Sequence, residues 1–441
     1  MTITLAGATV VQSIDPAVVA SQQLTIENGR IATGETQARH PHDCSGCVVV
    51  PGNVCAHTHL YSALARGMPY RLESPENFLQ VLQRIWWRLD RALDLNSVQA
   101  SALVGGMDAL LSGTTTVIDH HASPNAVDGS LDVIADSLGS LGLRSVLCYE
   151  TSDRDGPAVS RAGLLENRRF LTRIAQEQPA LARGLVGAHA SFTLADETLA
   201  ACVEAALDFG VGLHVHAAED GIDVHAVERL AATGGLDEHT LLAHGVHLDE
   251  HELALVAESH AWLAHNARSN MNNSVGRAHV SGVAGHLPLG TDGIGSDMFE
   301  ESRTAYFRLR EDDLGAPGSW PLTRLADGAH LAGAIFGEPL LGTLVPGAPA
   351  DLVVLDYDAP TPLDAETVAG HWIFGLGSRF VRDVMVAGEW VVLDRKLIRA
   401  DVPRLAHDAR RETERLWRRL DALEPHTFEP KGGRRWQTTA V

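Results

Sequence analysis

The sequence predicts an α/β protein built on a (β/α)8 barrel of the TIM type. Three observations support this prediction. Short apolar runs alternate with longer helix-compatible stretches between residues 50 and 295, which is typical of a parallel sheet with crossover helices. Nearly every run ends in a polar residue, and active sites of such barrels lie at the carboxyl ends of the strands. The two ends of the chain carry a different pattern, with short alternating strands and Gly at expected turns.

The apolar runs define the predicted barrel. There are eight such runs, at residues 48–59, 114–121, 144–150, 184–190, 211–219, 240–247, 261–270 and 287–293. The stretches between them, such as 195–210, place apolar residues at i, i+3 and i+4, as amphipathic helices do. Eight such units need about 250 residues, and we assign the barrel to residues 51–339.

The terminal segments are predicted to form a second unit. Residues 1–50 and 340–404 show short alternating strands, and we expect them to build one small composite β-sandwich beside the barrel. Residues 405–441 are predicted to be an amphipathic helix followed by a loose tail.

The stretch 68–110 follows the first barrel strand and is too long for a simple crossover. We predict a helical insertion there, serving either as a lid or as a dimer contact. Trp86 and Trp87, which are adjacent in this stretch, are interpreted as core or dimer contacts rather than as ligand contacts.

Composition argues against several classes of protein. Apolar residues make up 45% and charged residues 21% of the chain, an ordinary soluble balance. The formal net charge of −21 disfavours non-specific binding to nucleic acid or to an anionic membrane. The sequence shows no signal peptide and no run of about 18 apolar residues. Five cysteines, an odd and sparse set, indicate a reduced cytoplasmic protein. Cys44 and Cys47 form a lone CxxC, either a turn before a strand or a metal or redox pair.

The polar residues that end the runs predict an active site. A barrel brings the carboxyl ends of its strands to one face, so these side chains would form a ring there: His59, His120, His121, Glu150, His189, His216, His244, Asn266 and Asp292.

A metal site is predicted within this ring. His57 and His59 are two apart on a strand and so share a face, and imidazole is a common ligand of zinc and ferrous iron. His216 and Asp292 supply further ligands, because strands 8 and 1 are neighbours in a closed barrel. His214 has the same parity as His216, but His216 lies nearer the strand end and is preferred. The strand-4 run 184–190 lacks the lysine that would bridge two metals, which favours a mononuclear site.

The ring also offers groups for moving protons. A bound metal lowers the pKa of its water toward 7 and provides hydroxide at neutral pH. Glu219 is predicted to shuttle protons to the substrate, His244 to orient the nucleophile or stabilise charge on oxygen, and Asp292 to act as ligand and base. Three more residues are candidates for binding a heterocycle, or else buried hydrogen-bonding groups without substrate contact: His121, Glu150 and His189. His247 and His265 are weaker candidates. The sequence lacks HExxH, GxSxG, Walker A, GxGxxG and the small zinc deaminase pattern.

The sequence resembles the amidohydrolase superfamily, in the branch of cytosine, adenosine and guanine deaminases and chlorohydrolases. The resemblance rests on "PGNVCAHTHL", "HVHAAE", "LLAHGVHLDE", "HNARSNM" and "GTDGIGSDM", and further stretches are similar to SsnA-type aminohydrolases. It implies a barrel with a composite sandwich, the ligands His57, His59, His216 and Asp292, Glu219 as proton shuttle, His244 as catalytic partner, and a homodimer. One departure is Ala267, where many relatives have proline.

Taken together, these features predict a metal-dependent aminohydrolase that releases ammonia from an amino-substituted N-heterocycle such as a purine or pyrimidine base. One divalent ion is expected, Zn²⁺ or else Fe²⁺. Two alternatives stay open. In the first alternative, the same site displaces another group, as in triazine dechlorination, or opens a cyclic amide or imine. Otherwise the chain is a non-catalytic accessory protein.

Overall fold

The computed structural model describes residues 2–33, 41–283 and 285–430. The amino-terminal part consists of short strands joined by tight turns: β1 (Thr2–Ala6), β2 (Thr9–Ile14), β3 (Ala17–Ser21), β4 (Leu24–Glu27), β5 (Arg30–Ile31), β6 (His42–Asp43) and β7 (Val48–Pro51).

The central part alternates strands with helices. Its strands are β8 (Asn53–Thr58), β9 (Thr114–His121), β10 (Arg144–Tyr149), β11 (Ala182–Gly184), β12 (Val186–Ala190), β13 (Leu213–Ala217), β14 (Leu241–His244) and β15 (Trp262–Ala264). Its helices are α1 (Phe78–Val81), α2 (Trp87–Ala92), α3 (Leu95–Leu111), α4 (Ser130–Leu141), α5 (Pro157–Glu177), α6 (Asp196–Phe209), α7 (Ala226–Ala232), α8 (Glu250–Ser259), α9 (Ala267–Asn272), α10 (Met298–Arg310) and α11 (Trp320–Phe336). A π-helical turn, Leu82–Trp86, joins α1 to α2.

The carboxyl-terminal part returns to strands and ends in a long helix. Its elements are β16 (Leu352–Leu355), α12 (Val368–Phe374), β17 (Val381–Val386), β18 (Glu389–Leu393), β19 (Lys396–Leu397) and α13 (Val402–Asp421). Asp401 caps α13, since its side chain accepts from Arg404 N, which satisfies a free amide of the first turn. Of the predicted tail, residues 431–441 lie outside the described part of the chain.

The central strands form two parallel four-stranded sheets, in the orders β11-β10-β9-β8 and β12-β13-β14-β15. β9 is buried along its whole length, as expected of parallel strands covered on both faces. The predicted strand 184–190 is in fact two short strands in different sheets. Hydrogen bonds from Leu185 N to Leu147 O (3.1 Å) and from Thr151 N to Gly187 O (3.2 Å) connect the sheets there.

The predicted eighth strand, 287–293, does not form a regular strand. Single parallel bridges pair Leu289 with His265 and Asp292 with Thr58, and Ala56 N donates to Leu289 O at 2.9 Å. Gly290 allows this close approach, because a Cβ there would lie 2.7 Å from His57 Cβ. The segment therefore lies between β15 and β8 without continuous pairing.

The two ends of the chain share a sheet. Its seven strands run β19-β18-β17-β16-β7-β2-β3, and a separate sheet has the order β5-β4-β1-β6. β7 pairs antiparallel with β16 and parallel with β2, so the predicted run 48–59 divides at Gly52 between a terminal and a central sheet. Apolar side chains of both terminal sheets, including Leu5, Val49 and Met385, belong to one buried cluster.

None of the helices in the described part of the chain has the combination of length and apolar composition needed to cross a membrane.

Candidate metal centre and active site

The four predicted ligands converge near the carboxyl ends of β8 and β13. His57, His59, His216 and Asp292 are buried, and their potential ligand atoms all lie within 4.8 Å of one another. Asp292 Oδ1 is 3.0 Å from His59 Nε2 and 3.5 Å from His57 Nε2. The Nε2 atoms of His59 and His216 are 3.1 Å apart.

The hydrogen bonds of His59 and His216 leave the lone pairs of their two Nε2 atoms facing each other. Nδ1 of His59 donates to His120 O at 2.6 Å, and Nδ1 of His216 donates to His189 O at 2.7 Å. A carbonyl oxygen only accepts, so both protons are on Nδ1 and both Nε2 atoms are unprotonated in the neutral rings. His57 Nε2 is buried without a hydrogen-bond partner. A proton or a metal cation between these atoms relieves the repulsion, and an N₃O set suits zinc.

The protonation tendencies of the ligands differ. Burial lowers the pKa of His57 to about 3 and, with the neighbouring histidines, lowers the pKa of His216 well below its usual value. Burial also disfavours the charged form of His59, but the Asp292 carboxylate outweighs it and raises the pKa of His59 to about 9. The pKa of Asp292 is well below its usual value despite burial, because the imidazoles of His57 and His59 lie against its carboxylate. A metal at this position therefore competes with one proton, that of His59.

His214 supports the site from behind. Its Nε2 is 2.9 Å from His57 Nδ1, and its Nδ1 is 3.6 Å from Cys148 Sγ. Such a contact fixes the tautomer of a ligand ring. His214 is fully buried and is not part of the four-residue cluster.

Glu219 and His244 face each other beside the cluster. Glu219 Oε2 lies 3.5 Å from His244 Nε2, and the two form a triad of potential ligands with Asp292. Burial, reinforced by the negative charge of Asp292, raises the pKa of Glu219 well above its usual value. Burial lowers the pKa of His244. Burial thus favours the protonated form of the Glu219 carboxyl and the neutral form of the His244 imidazole, an arrangement suited to general acid–base chemistry.

The backbone is strained at two of these positions. His244 has a φ of 79° and Asp292 a φ of 53°, in the left-handed region that non-glycine residues rarely occupy. Such conformations cost about 1–3 kcal/mol each and cluster at active sites. Here they accompany the turns that bring both side chains to the strand ends.

Helix α9 supplies contacts that the sequence reasoning missed. Ser269 Oγ donates to Asp292 Oδ2, Asn270 Oδ1 accepts from His244 Nδ1 at 2.9 Å, and Asn273 Nδ2 is 3.4 Å from Glu219 Oε1. The pattern Ser-Asn-x-x-Asn directly after a barrel strand is the sequence signal that would have identified them. This helix begins at Ala267, the position of the departure from proline.

A narrow cavity opens above the cluster. Five of its lining residues belong to the segment 78–92, which we call the cover. The full lining is His59, Tyr61, Phe78, Leu82, Trp86, Trp87, Asp90, Glu150, His189, His216, Glu219, Asn273 and Asp292. Trp87 is part of a buried core cluster and Trp86 packs against it, as the core interpretation predicts, and both also line this cavity. The cover bends over the strand ends through its π-helical turn, which the spacing of apolar residues did not reveal.

Glu150 and His189 line the cavity, but His121 does not. Glu150 is 3.1 Å from His120 Nδ1 and accepts from Arg154. His189 Nδ1 donates to Thr193 Oγ1 at 2.7 Å, since the Thr193 hydroxyl donates to Ala190 O. This leaves His189 Nε2 as an acceptor, and burial lowers the pKa of the ring to about 3.

His121 faces the other side of β9. Its Nε2 is 2.9 Å from Ser123 Oγ, and its ring lies 6.0 Å from that of Tyr149. Successive side chains of a strand point to opposite faces, so His120 takes the inward position, with its ring 4.7 Å from His216. The structure therefore places His120 beside the cluster, and His121 fits the alternative of a buried hydrogen-bonding group.

The weaker candidates lie elsewhere. His247 Nε2 donates to Val275 O at 2.6 Å, and His265 is buried behind His244 with its pKa lowered to about 4 by burial. Cys44 and Cys47 flank a turn before β7, and Nη1 of Arg382 lies 3.2 Å from Cys47 Sγ. A guanidinium beside the thiols favours the turn interpretation over a metal pair.

Comparison with known proteins places these features in a wider group. The family described as "Amidohydrolase family" matches residues 48–391. A 5-methylthioadenosine/S-adenosylhomocysteine deaminase of Haloarcula marismortui is 32% identical over 377 residues, covering 80% of this chain and 83% of that protein. A 5'-deoxyadenosine deaminase of Methanopyrus kandleri is 28% identical, covering 84% and 86%. The crystal structure of an adenosine deaminase from Xanthomonas campestris with bound zinc superposes with a TM-score of 0.81 at 25% identity, covering 96% and 99% of the two chains.

Proposed function

The chain belongs to the amidohydrolase family, and from that premise we propose that it deaminates the adenine ring of an adenosine-type nucleoside. It is a hydrolase of carbon–nitrogen bonds, acting in a metal-dependent way on an amino-heterocycle. The observation that supports the reaction most directly is Glu219 Oε2 lying 3.5 Å from His244 Nε2, next to a cluster of three imidazoles and a carboxylate.

We assign the metal to His57, His59, His216 and Asp292, and propose Zn²⁺ as the ion. The facing lone pairs of His59 and His216 and the unpartnered Nε2 of His57 support this assignment, and so does the zinc bound in the Xanthomonas campestris structure. A bound divalent cation would supply a water nucleophile at neutral pH by lowering the pKa of that water.

The protein's own residues would move the protons. Glu219 donates its proton to the ring nitrogen next to the carbon that carries the amino group, which makes that carbon electrophilic. His244, whose Nδ1 donates to Asn270, has a free Nε2 that accepts a proton from the attacking water. Asp292 is both a ligand and a second base. The amine takes up the proton that His244 accepted and leaves as ammonia. The hydroxyl proton passes through Asp292 back to Glu219, and a carbonyl replaces the amine on the ring.

The substrate would lie between the ligands and the cover. We propose that His189, through its free Nε2, accepts a hydrogen bond from the substrate. The Glu150 carboxylate would make this side of the cavity negatively charged. Trp87 and Phe78 would cover the base on its outer side. His121 is left out of the substrate site because it faces Tyr149.

The architecture around the site is part of the proposal. We infer that the two central sheets and the segment 287–293 form one closed barrel over residues 51–339, supported by the bridges Thr58–Asp292, His265–Leu289 and Thr151–Ala188. We infer that residues 1–50 and 340–404 form a composite sandwich, supported by their shared seven-stranded sheet. The cytoplasmic location and the homodimer stay predictions.

Ammonia release from zinc-loaded protein tests the function. The panel comprises 5'-methylthioadenosine, S-adenosylhomocysteine, 5'-deoxyadenosine and adenosine, with guanine, cytosine and chlorinated and aminated triazines as comparisons. Mass analysis separates the reactions, because deamination replaces NH by O, dechlorination releases chloride, and ring opening adds water with nothing lost. Turnover of the adenosine-type compounds is expected. Turnover confined to a triazine, or none on any compound with metal bound, would contradict the proposal.

A further inference from the structure

The carboxyl-terminal segment lies on the outer side of the cover. After α13 the chain turns back, and residues 423–430, which we call the strap, run along the π-helical turn. Gln83 Nε2 donates to Phe428 O at 2.7 Å, and His426 N donates to Gln83 O at 3.0 Å. Arg88 donates to Leu420 O at 2.7 Å and also to Leu423 O. The cover is therefore tied to the strap and to the end of α13 by hydrogen bonds to backbone carbonyl oxygens.

The strap also packs against the cavity wall. Trp87 is 1% exposed and lines the cavity. On its far side the ring centroids of His426 and Phe428 lie 5.2 and 5.9 Å away, and the Arg154 guanidinium carbon lies 5.3 Å from the indole centroid. The position of this tryptophan thus depends on two strap residues and one arginine.

A polar relay runs from the strap to the cavity carboxylates. Phe428 N donates to His426 Nδ1 at 3.1 Å, so the ring carries its proton on Nε2, which lies 3.3 Å from Asp155 Oδ1. Asp155 Oδ2 is 3.4 Å from Arg154 Nε. Burial alone would raise the pKa of Asp155, but His426 and Arg154 lower it, so this carboxylate stays charged.

Arg154 then joins the cover to the barrel. Its two terminal nitrogens donate to Asp90 of the cover and to Glu150 at the end of β10, and it is 2% exposed. Both carboxylates line the cavity. A guanidinium that bridges two carboxylates fixes their separation through its rigid geometry, and Asp155 orients the guanidinium from behind.

We propose that His426 and Asp155 are positioning residues for substrate binding, which act through Arg154 and Trp87 on the cavity wall. The kinetic test of this inference rests on the proposed function, because it needs a substrate that the protein turns over. The strap makes no contact with the metal cluster, so its loss loosens the wall that binds the substrate more than it impairs Glu219 and His244. Loss of a residue that orients a ligand-contacting side chain lowers affinity or activity about 10–100-fold.

The kinetic test uses the full-length zinc-loaded protein. His426→Ala is expected to raise KM for the best adenosine-type substrate about tenfold while kcat changes little. His426→Gln keeps a donor at the reach of Nε2 and should recover most of the affinity, and Asp155→Asn should reproduce the loss. The matched control is His407→Ala, the same change at an exposed position on α13, which should leave both constants unchanged.

A second measurement does not depend on turnover. Amide hydrogen exchange of residues 78–92 in the zinc-loaded protein is expected to accelerate in His426→Ala and not in His407→Ala, with melting temperatures recorded alongside. Wild-type protein that turns over no adenosine-type compound would reject the proposed function, and the exchange data would still decide the inference. Unchanged exchange and KM in His426→Ala would overturn it. So would an equal fall in kcat and kcat/KM that glutamine does not rescue, because that pattern marks a merely structural residue.

Discussion

Glu219 owes its raised pKa to burial and to the charge of Asp292. Its role as a proton donor can be tested separately from metal binding. We expect Glu219→Gln to retain a full equivalent of zinc, because the four-residue cluster does not include this side chain. Turnover should fall about 10²–10⁴-fold, the usual contribution of a positioned acid or base. Metal content by elemental analysis and kcat on the best substrate provide the measurement. A Glu219→Gln protein that keeps both zinc and wild-type kcat would show that the proton comes from elsewhere.

His59 makes the affinity for zinc depend on pH. Its pKa is raised to about 9, so below pH 9 the metal-free ring is protonated and binding must displace that proton. His57 and His216 have lowered pKa values and contribute no proton near neutrality. We therefore expect the apparent Kd for zinc to rise about tenfold for each unit that pH falls between 8 and 6.

Competition with a chelator of known affinity measures this slope once the chelator's own protonation is corrected. A slope near zero would mean that His59 is neutral before the metal arrives. A slope near two would mean that a second ligand is protonated as well.

At the scale of elements, helix α9 holds the reactive side chains in place. Asn270 accepts the Nδ1 proton of His244, and without this acceptor the ring loses its preferred tautomer and orientation. We expect Asn270→Ala to lower kcat about 10–100-fold while zinc stays bound. Asn272→Ala, the same substitution at an exposed position of the same helix, is the control and should behave as wild type. Equal activity of the two variants would remove α9 from the mechanism.

The elements that carry the cluster could be predicted because strand periodicity places side chains without any knowledge of contacts. His57 lies on β8, His59 follows the last residue of that strand, and His216 is the penultimate residue of β13. The same rule leaves an ambiguity where two histidines are adjacent, as at His120 and His121, since only packing decides which one faces inward.

Other features depended on tertiary structure. The segment 287–293 has the composition of a strand and makes backbone hydrogen bonds to His57 and His265. It nevertheless forms only single bridges, at Leu289 and Asp292, and Asp292 is left-handed. Trp87 is a buried core residue and Trp86 is half-buried beside it, yet both also line the cavity. Their place on the cavity wall comes from the bend of the cover, which no local pattern specifies.

At the scale of the whole molecule, the cluster draws its ligands from separate parts of the fold. His57 and His59 come from one four-stranded sheet, His216 from the other, and Asp292 from the segment between β15 and β8. A metal held by all four would tie the two sheets together. A ligand that binds only the folded state stabilises it by about 4 kcal/mol at a concentration 1,000 times its Kd.

We therefore expect removal of zinc by chelation to lower the melting temperature and to accelerate hydrogen exchange in β8, β13 and their neighbours. The terminal seven-stranded sheet holds none of these ligands, so its exchange should change much less. Asp292→Asn is the matched variant, because it removes the carboxylate charge and keeps the side-chain shape. It should melt near the temperature of the chelated wild type and gain little from added zinc. Equal acceleration in the terminal sheet would instead mean that the chain unfolds as one cooperative unit, with the metal stabilising all of it.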